Sequence, residues 1–227
     1  MSIPINSLCI ECFFRKRLEM ARQLGDEEKA MVFARKAMEE LIKAPPEMDS
    51  TWLGAISDNI MRGMYDMEPD PLREEKEFSN RFVMDRLPGI RRRVMEAADP
   101  IFSALHGEVS FEAMEKMLDE AQDIALDKTC YQEFCEDLSG KKRLLYITDN
   151  AGEIVFDRLL AELLQEKFPQ LQITFCVRGK PVSNDATRED AAVVGVPFPI
   201  IDNGTRIGGT DLSQISREAR EAFEDAD

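Results

Sequence analysis

The feature that most constrains the fold is an apolar run, Leu144 to Thr148, that feeds directly into Asp149-Asn150-Ala151-Gly152 and then into an amphipathic segment. A short continuous apolar run reads as a buried parallel strand. Phe156, Leu159, Leu160, Leu163 and Leu164 then mark one helix face. A second strand-like stretch, Leu171 to Val177, leads to another polar cluster, Asn184-Asp185-Ala186-Thr187-Arg188-Glu189-Asp190. Ala186 to Val194 reads as a helix, Pro199-Ile200-Ile201 as a third strand, and Ser213 to Ala226 as a last, charged helix. This β-α-β-α-β-α order implies a parallel sheet with crossover helices. Ligands of such sheets sit beyond the carboxyl ends of the strands, where both polar clusters fall.

Residues 1–138 carry a different grammar. Ala30, Met31, Ala34, Ala37, Met38 and Leu41 follow helical spacing, as do Phe111, Met114, Leu118, Ala121 and Ala125 behind a Ser110 cap. Pro45-Pro46, Asp70-Pro71, Pro88-Gly89 and Asp99-Pro100 punctuate the region into short helices. The expected organisation is a helical domain, 1–138, and an α/β metal-binding core, 139–227.

The formal net charge of −15 argues against a nucleic-acid backbone or an anionic membrane surface as partner. No apolar run approaches the length needed to span a bilayer, and the N-terminus lacks a signal-peptide pattern. Five cysteines, an odd number, fit a reducing cytoplasm. With a single histidine, His106, histidine-rich zinc sites and Ser-His-Asp chemistry have little material.

Asp149, Asn150 and Asp185 offer the hard oxygens that Mg²⁺ and similar ions prefer, leaving positions for water and phosphate. Gly152 permits a close turn, and the helix start can present N–H groups to an anion. The same residue types also build turns and N-caps, so each cluster alone has a plain structural reading. Glu153 and Asp157 serve either beside the metal or as solvated helix charges, Asp190 either in the loop or on the surface, and Thr187 as a helix cap. Cys9-x-x-Cys12 has metal-ligand spacing, with Cys130 and Cys135 as further thiolates, but ordinary burial is the plainer reading and a redox pair the least favoured. Arg91-Arg92-Arg93 reads as a solvated face or as a phosphate contact.

The stretches Tyr146 to Asp157 and Arg178 to Ala191 resemble the metal-dependent damage-control phosphatase family. The resemblance extends more loosely to Cys9-x-x-Cys12 and to Asp70-Pro71 followed by Lys76 and Asn80. It implies a multihelical N-terminal part, a Rossmann-like three-layer α/β/α core with a mostly parallel sheet, and hydrolysis of phosphate esters of small metabolites. The implied cofactor is Mg²⁺, Mn²⁺, Co²⁺ or Ni²⁺, held by Asp149, Asn150 and Asp185, with Asp149 and Asp185 as the catalytic carboxylates. Asn184 and Thr187 fall in the matching loop, where they touch phosphate or hold the loop; Gly152 and Glu153 are further substrate-binding candidates, and Cys9 and Cys12, by their spacing, the candidate structural-metal pair. The implied partner is a small phosphorylated metabolite, and a homo-oligomer is compatible. Family members continue beyond the position of Asp227 into a strand and a Lys-Gly motif, and carry a Gly-Asn-x-x-Asp-Phe-like segment near 99–107. Their absence here raises two alternatives: a catalytically impaired binding module, and a fragment. Carboxyl methyltransferase activity, described for related members, is a third; the chain has no glycine-rich nucleotide loop to favour it.

Overall fold

The computed structural model describes residues 5–44, 50–97, 99–105 and 127–227. His106 and the helix expected from Ser110 to Ala125 lie outside them. The chain forms two compact units: residues 1–71 with 206–211, and residues 72–205 with 212–227. The change from helical to strand-bearing grammar near 138 thus falls inside the second unit.

The first unit is built on α1 (Ser7–Leu24), α2 (Glu27–Lys43) and α3 (Ser50–Met64). Asn6 caps α1 by accepting the N–H groups of Leu8 and Cys9, and Asp26 caps α2 through Lys29. Phe13, Ala21, Ala30, Phe33, Ala37, Leu53, Met61 and Tyr65 form the core. Met31 and Met38, expected on the buried face, are exposed, and Phe33 takes the inward position instead. Asp58 ties this unit together, pairing with Arg62 at 2.9 Å and Arg206 at 3.1 Å.

The second unit opens with α4 (Arg73–Glu96), which runs unbroken through Pro88. Pro88-Gly89 is a break signal in the sequence. Proline removes one helical donor and normally kinks or ends a helix, but Val83, Ile90 and Val94 on either side are buried in one core cluster. Tertiary packing overrides the local signal. After α5 (Pro100–Leu105) and α6 (Lys128–Gly140) come β1 (Arg143–Ile147), α7 (Glu153–Lys167), β2 (Gln172–Val177), α8 (Arg188–Val194), β3 (Ile200–Asp202) and α9 (Arg217–Asp225). Helix α9 starts later than expected because Ser216 caps it, accepting the N–H of Ala219.

The strands form a parallel sheet in the order β1-β2-β3, with Tyr146 opposite Phe175 and Phe175 opposite Ile200. Alternation then sorts the side chains. Ile173, Phe175 and Val177 join the cluster made by α4, α7 and α8. Cys176, with Leu145 and Ile201, packs against Ile215 and Ala219 beside and on α9. The result is a three-layer α/β/α arrangement, in agreement with the expected fold class. Tyr146, Phe175 and Phe198 stack in series at 5.0 and 5.6 Å between ring centroids. No helix among the described residues is long and apolar enough to cross a membrane.

Candidate active site

Both polar clusters meet at the carboxyl end of the sheet. Beyond β1, Ala186 donates its N–H to the Asp149 carbonyl at 2.7 Å, and Ala151 donates to the Asn184 carbonyl at 2.8 Å. These bonds close an isolated antiparallel bridge between Asn150 and Asp185. The two loops are therefore one backbone-fixed unit, and three of the expected ligands, Asp149, Asn150 and Asp185, lie on it. The Asn150 amide donates to Glu153 Oε1 at 3.2 Å, which turns its own oxygen the other way. Asp149 is exposed while Asp185 is buried.

Arg178, the residue after β2, links the two carboxylates. Its Nε donates to Asp185 Oδ2 at 2.6 Å, and its Nη2 lies 3.5 Å from Asp149 Oδ1. Burial pushes the Asp185 carboxyl above the ordinary aspartate value; Arg178 opposes this and Asp149 reinforces it. The donor set, two carboxylates and a carboxamide, is all oxygen, which fits a hard divalent ion. The site also already accommodates positive charge between its two carboxylates. Among the described residues, no three His, Cys, Asp or Glu side chains gather as a metal cluster, so the carboxamide of Asn150 is needed to complete this set.

A second, deeper network holds the loops from behind. Asp190 is buried and accepts from Lys76 Nζ at 2.7 Å, Asn80 Nδ2 at 3.0 Å, Thr187 N at 2.9 Å and Thr187 Oγ1 at 2.8 Å. Asn80 in turn accepts the Gly152 N–H at 2.7 Å. Helix α4 thus reaches both polar loops through two residues one turn apart. Gly152, a substrate-binding candidate in the sequence, makes the close turn expected of it, and its own N–H is committed to Asn80. Its φ of +88° suits glycine, and an added Cβ would meet the Ser79 Cβ at 3.4 Å. Thr187 is buried at the start of α8 and directs its hydroxyl to Asp190, not outward.

Asn184 is exposed, and its Oδ1 receives the Ser183 hydroxyl at 3.1 Å. Glu153 lines an open pocket of about 410 Å³ together with Leu145, Tyr146, Ile147, Asp149 and Asp157. Asp157 is a buried acceptor for the Tyr146 hydroxyl at 2.9 Å, not a solvated helix charge. Arg91 pairs with Glu162 and Glu166 of α7. Cys9 lies half-buried beside the apolar core of the first unit, and Cys12, also half-buried, shares its helix. Arg178 carries no role that sequence alone assigns, and Lys76 and Asn80 enter there only as points of resemblance. The available signal was a lone arginine directly after a strand that leads into one of the clusters.

An α/β protein with an oxygen-lined site at the strand ends is the class that fold and site define. The chain belongs to the family of the damage-control phosphatase ARMT1-like domain, whose family model matches residues 5–227. It is 29% identical over 245 residues to an uncharacterized protein of Methanocaldococcus jannaschii, covering all of this chain and 80% of that one. It is 28% identical over 248 residues to a damage-control phosphatase of Archaeoglobus fulgidus, covering 99% of this chain and 83% of the relative. The crystal structure of a DUF89 family protein, PH1575 of Pyrococcus horikoshii, superimposes with a TM-score of 0.75 at 26% identity, covering 99% of this chain and 82% of that one.

Proposed function

We propose that this protein is a metal-dependent phosphatase acting on phosphate esters of small metabolites. The observation that carries the reading is the backbone-fixed junction of the Asp149-Asn150 and Asn184-Asp185 loops at the carboxyl end of the sheet. Membership in a damage-control phosphatase family supports it. Asp149, the Asn150 carboxamide oxygen and Asp185 would hold a divalent ion: Mg²⁺, Mn²⁺, Co²⁺ or Ni²⁺. Such an ion supplies Lewis-acid polarisation of a phosphoryl oxygen and neutralises developing charge.

The chain's own residues do the rest. Asp149, exposed at the pocket rim, is placed to orient an attacking water. Asp185 stays fixed by burial and by the loop bridge. Asn184 has its Oδ1 engaged by Ser183, so its exposed Nδ2 is the end available to a phosphate oxygen. Lys76, Asn80, Thr187 and Asp190 keep the two loops at fixed separation, so little reorganisation is left for the reacting state. The same reading takes a small phosphorylated metabolite as ligand. It takes the cytoplasm as compartment, in keeping with five free cysteines and an acidic composition.

The test is phosphate release from a broad ester panel with each of the four ions, on the parent chain beside Asp149→Ala and Asp185→Ala. Metal-dependent release that both substitutions abolish is expected. Binding of Mn²⁺ without release from any ester would sink the enzyme reading in favour of a binding module.

A further inference from the structure

Arg178 is held unusually firmly for an arginine at a strand end. Its N–H donates to the Ala186 carbonyl at 2.9 Å, and an isolated parallel bridge joins it to Thr187. Its side chain is 6% exposed. The guanidinium reaches both acidic members of the candidate ligand set, Asp185 Oδ2 at 2.6 Å and Asp149 Oδ1 at 3.5 Å. A buried carboxylate is costly unless paired, and Arg178 is the partner that makes Asp185 tolerable in the interior.

The formal charges of Asp149, Asp185 and Arg178 sum to −1, and the adjacent Lys76–Asp190 pair sums to zero. A divalent ion entering this set would face a resident cation already bonded to one of the oxygens it needs. Like charges at such range beside the buried Asp185 carboxylate repel strongly.

We propose that Arg178 is a positioning residue that acts as the internal counter-ion of the metal site. Before an ion arrives it holds Asp149 and Asp185 together, and an ion binds by displacing the guanidinium from Asp185 Oδ2. Arg178 therefore weakens metal binding while keeping the ligands arranged for it. The inference rests on the metal-site reading above.

The experiment is calorimetric titration of Mn²⁺ into chelator-treated parent protein and Arg178→Gln, with circular dichroism to verify folding. Gln keeps a donor for Asp185 and removes the charge, so Mn²⁺ should bind roughly tenfold tighter or more. Equal or weaker binding by folded Arg178→Gln overturns the proposal. In parallel, the Arg178 Nε–H resonance of ¹⁵N-labelled parent protein is followed during Mg²⁺ titration, which decides the matter even if the variant does not fold. A shift that saturates with binding is expected, and an unmoved resonance at saturation overturns the displacement. No Mn²⁺ binding by the parent chain would instead remove the metal-site reading itself.

Discussion

Replacing Asp190 by Asn should unfold this protein far more readily than its place in the charged stretch Arg188-Glu189-Asp190 suggests. The Lys76 side chain is 2% exposed and its ammonium sits 2.7 Å from Asp190 Oδ2. Removing one partner of a buried ion pair costs about 3–5 kcal/mol, because the other charge loses its nearest counter-charge in the interior. Asn keeps the shape and one acceptor oxygen for Thr187, but its NH2 then faces the Asn80 donor, so the loss reports the missing charge together with the Asn80 bond. For a chain of this size that is a fall in Tm of roughly 10 °C. Lys76→Met should cost less, since Asp190 retains three donors from Thr187 and Asn80. The double variant should be more stable than the sum of the singles requires, by ~2–3 kcal/mol. Urea titrations followed by circular dichroism measure all three, read from midpoint shifts at constant slope. If Asp190→Asn loses less than ~1 kcal/mol, or the two substitutions simply add, the pair is not a buried pair on which the loops depend.

Three further outcomes follow from other parts of the same unit. A Cβ at Gly179 would fall 2.5 Å from the Gly204 Cα and N, so Gly179→Ala should destabilise by ~3 kcal/mol or more; a thermal melt matching the parent would refute the backbone contact. Burial raises the Asp185 carboxyl, with Arg178 opposing and Asp149 adding, so the folded chain takes up this proton at a higher pH than the unfolded one. The stability this proton contributes is present below the unfolded value and lost as pH rises through the folded one. On the proposed metal site an ion would displace the same proton, so calorimetric Mn²⁺ affinity should weaken on acidification before the ordinary aspartate range is reached, and affinity unchanged down to that range would count against it. Burial also pushes the Cys176 thiol up to about 11, so native alkylation at pH 8 should mark exposed Cys130 and spare Cys176; peptide mass spectrometry showing equal labelling would contradict this.

The layered core was legible because its signals are local. Phe156, Leu159, Leu160, Leu163 and Leu164 lie on one stripe of a single helix and are all buried, and the apolar runs before the polar clusters are β1 and β2. In α2 the pattern was ambiguous because alanine, methionine and phenylalanine lie on adjacent stripes. Met31 and Phe33 are both apolar enough to turn inward, and the packing partners Leu53 and Met61 from another helix accompany Phe33 in the core. Pro88 failed as a breaker for a related reason: its local cost of about 3 kcal/mol is set against Val83, Ile90 and Val94 buried along the same helix.

The candidate site divides along the same line. Asp149, Asn150 and Asp185 could be picked out because each follows a strand, and a strand end in a parallel sheet is a place where ligands collect. What fixes them could not. Asn80 and Asp190 are 110 positions apart, and Lys76 sits in Arg73-Glu74-Glu75-Lys76-Glu77, where five successive charges look equally solvated. Helical geometry sends only one of those five inward, and which one depends on the phase of α4 against α8, a tertiary quantity absent from local spacing. Once that phase is set, Lys76 and Asn80, four residues apart, must fall on one face. Each then meets a different need, Lys76 the charge of Asp190 and Asn80 the orphan N–H of Gly152. The burial of α4 and the rigidity of the ligand loops are therefore one event, and a substitution that rotates α4 should disturb the site without touching any residue named as a ligand.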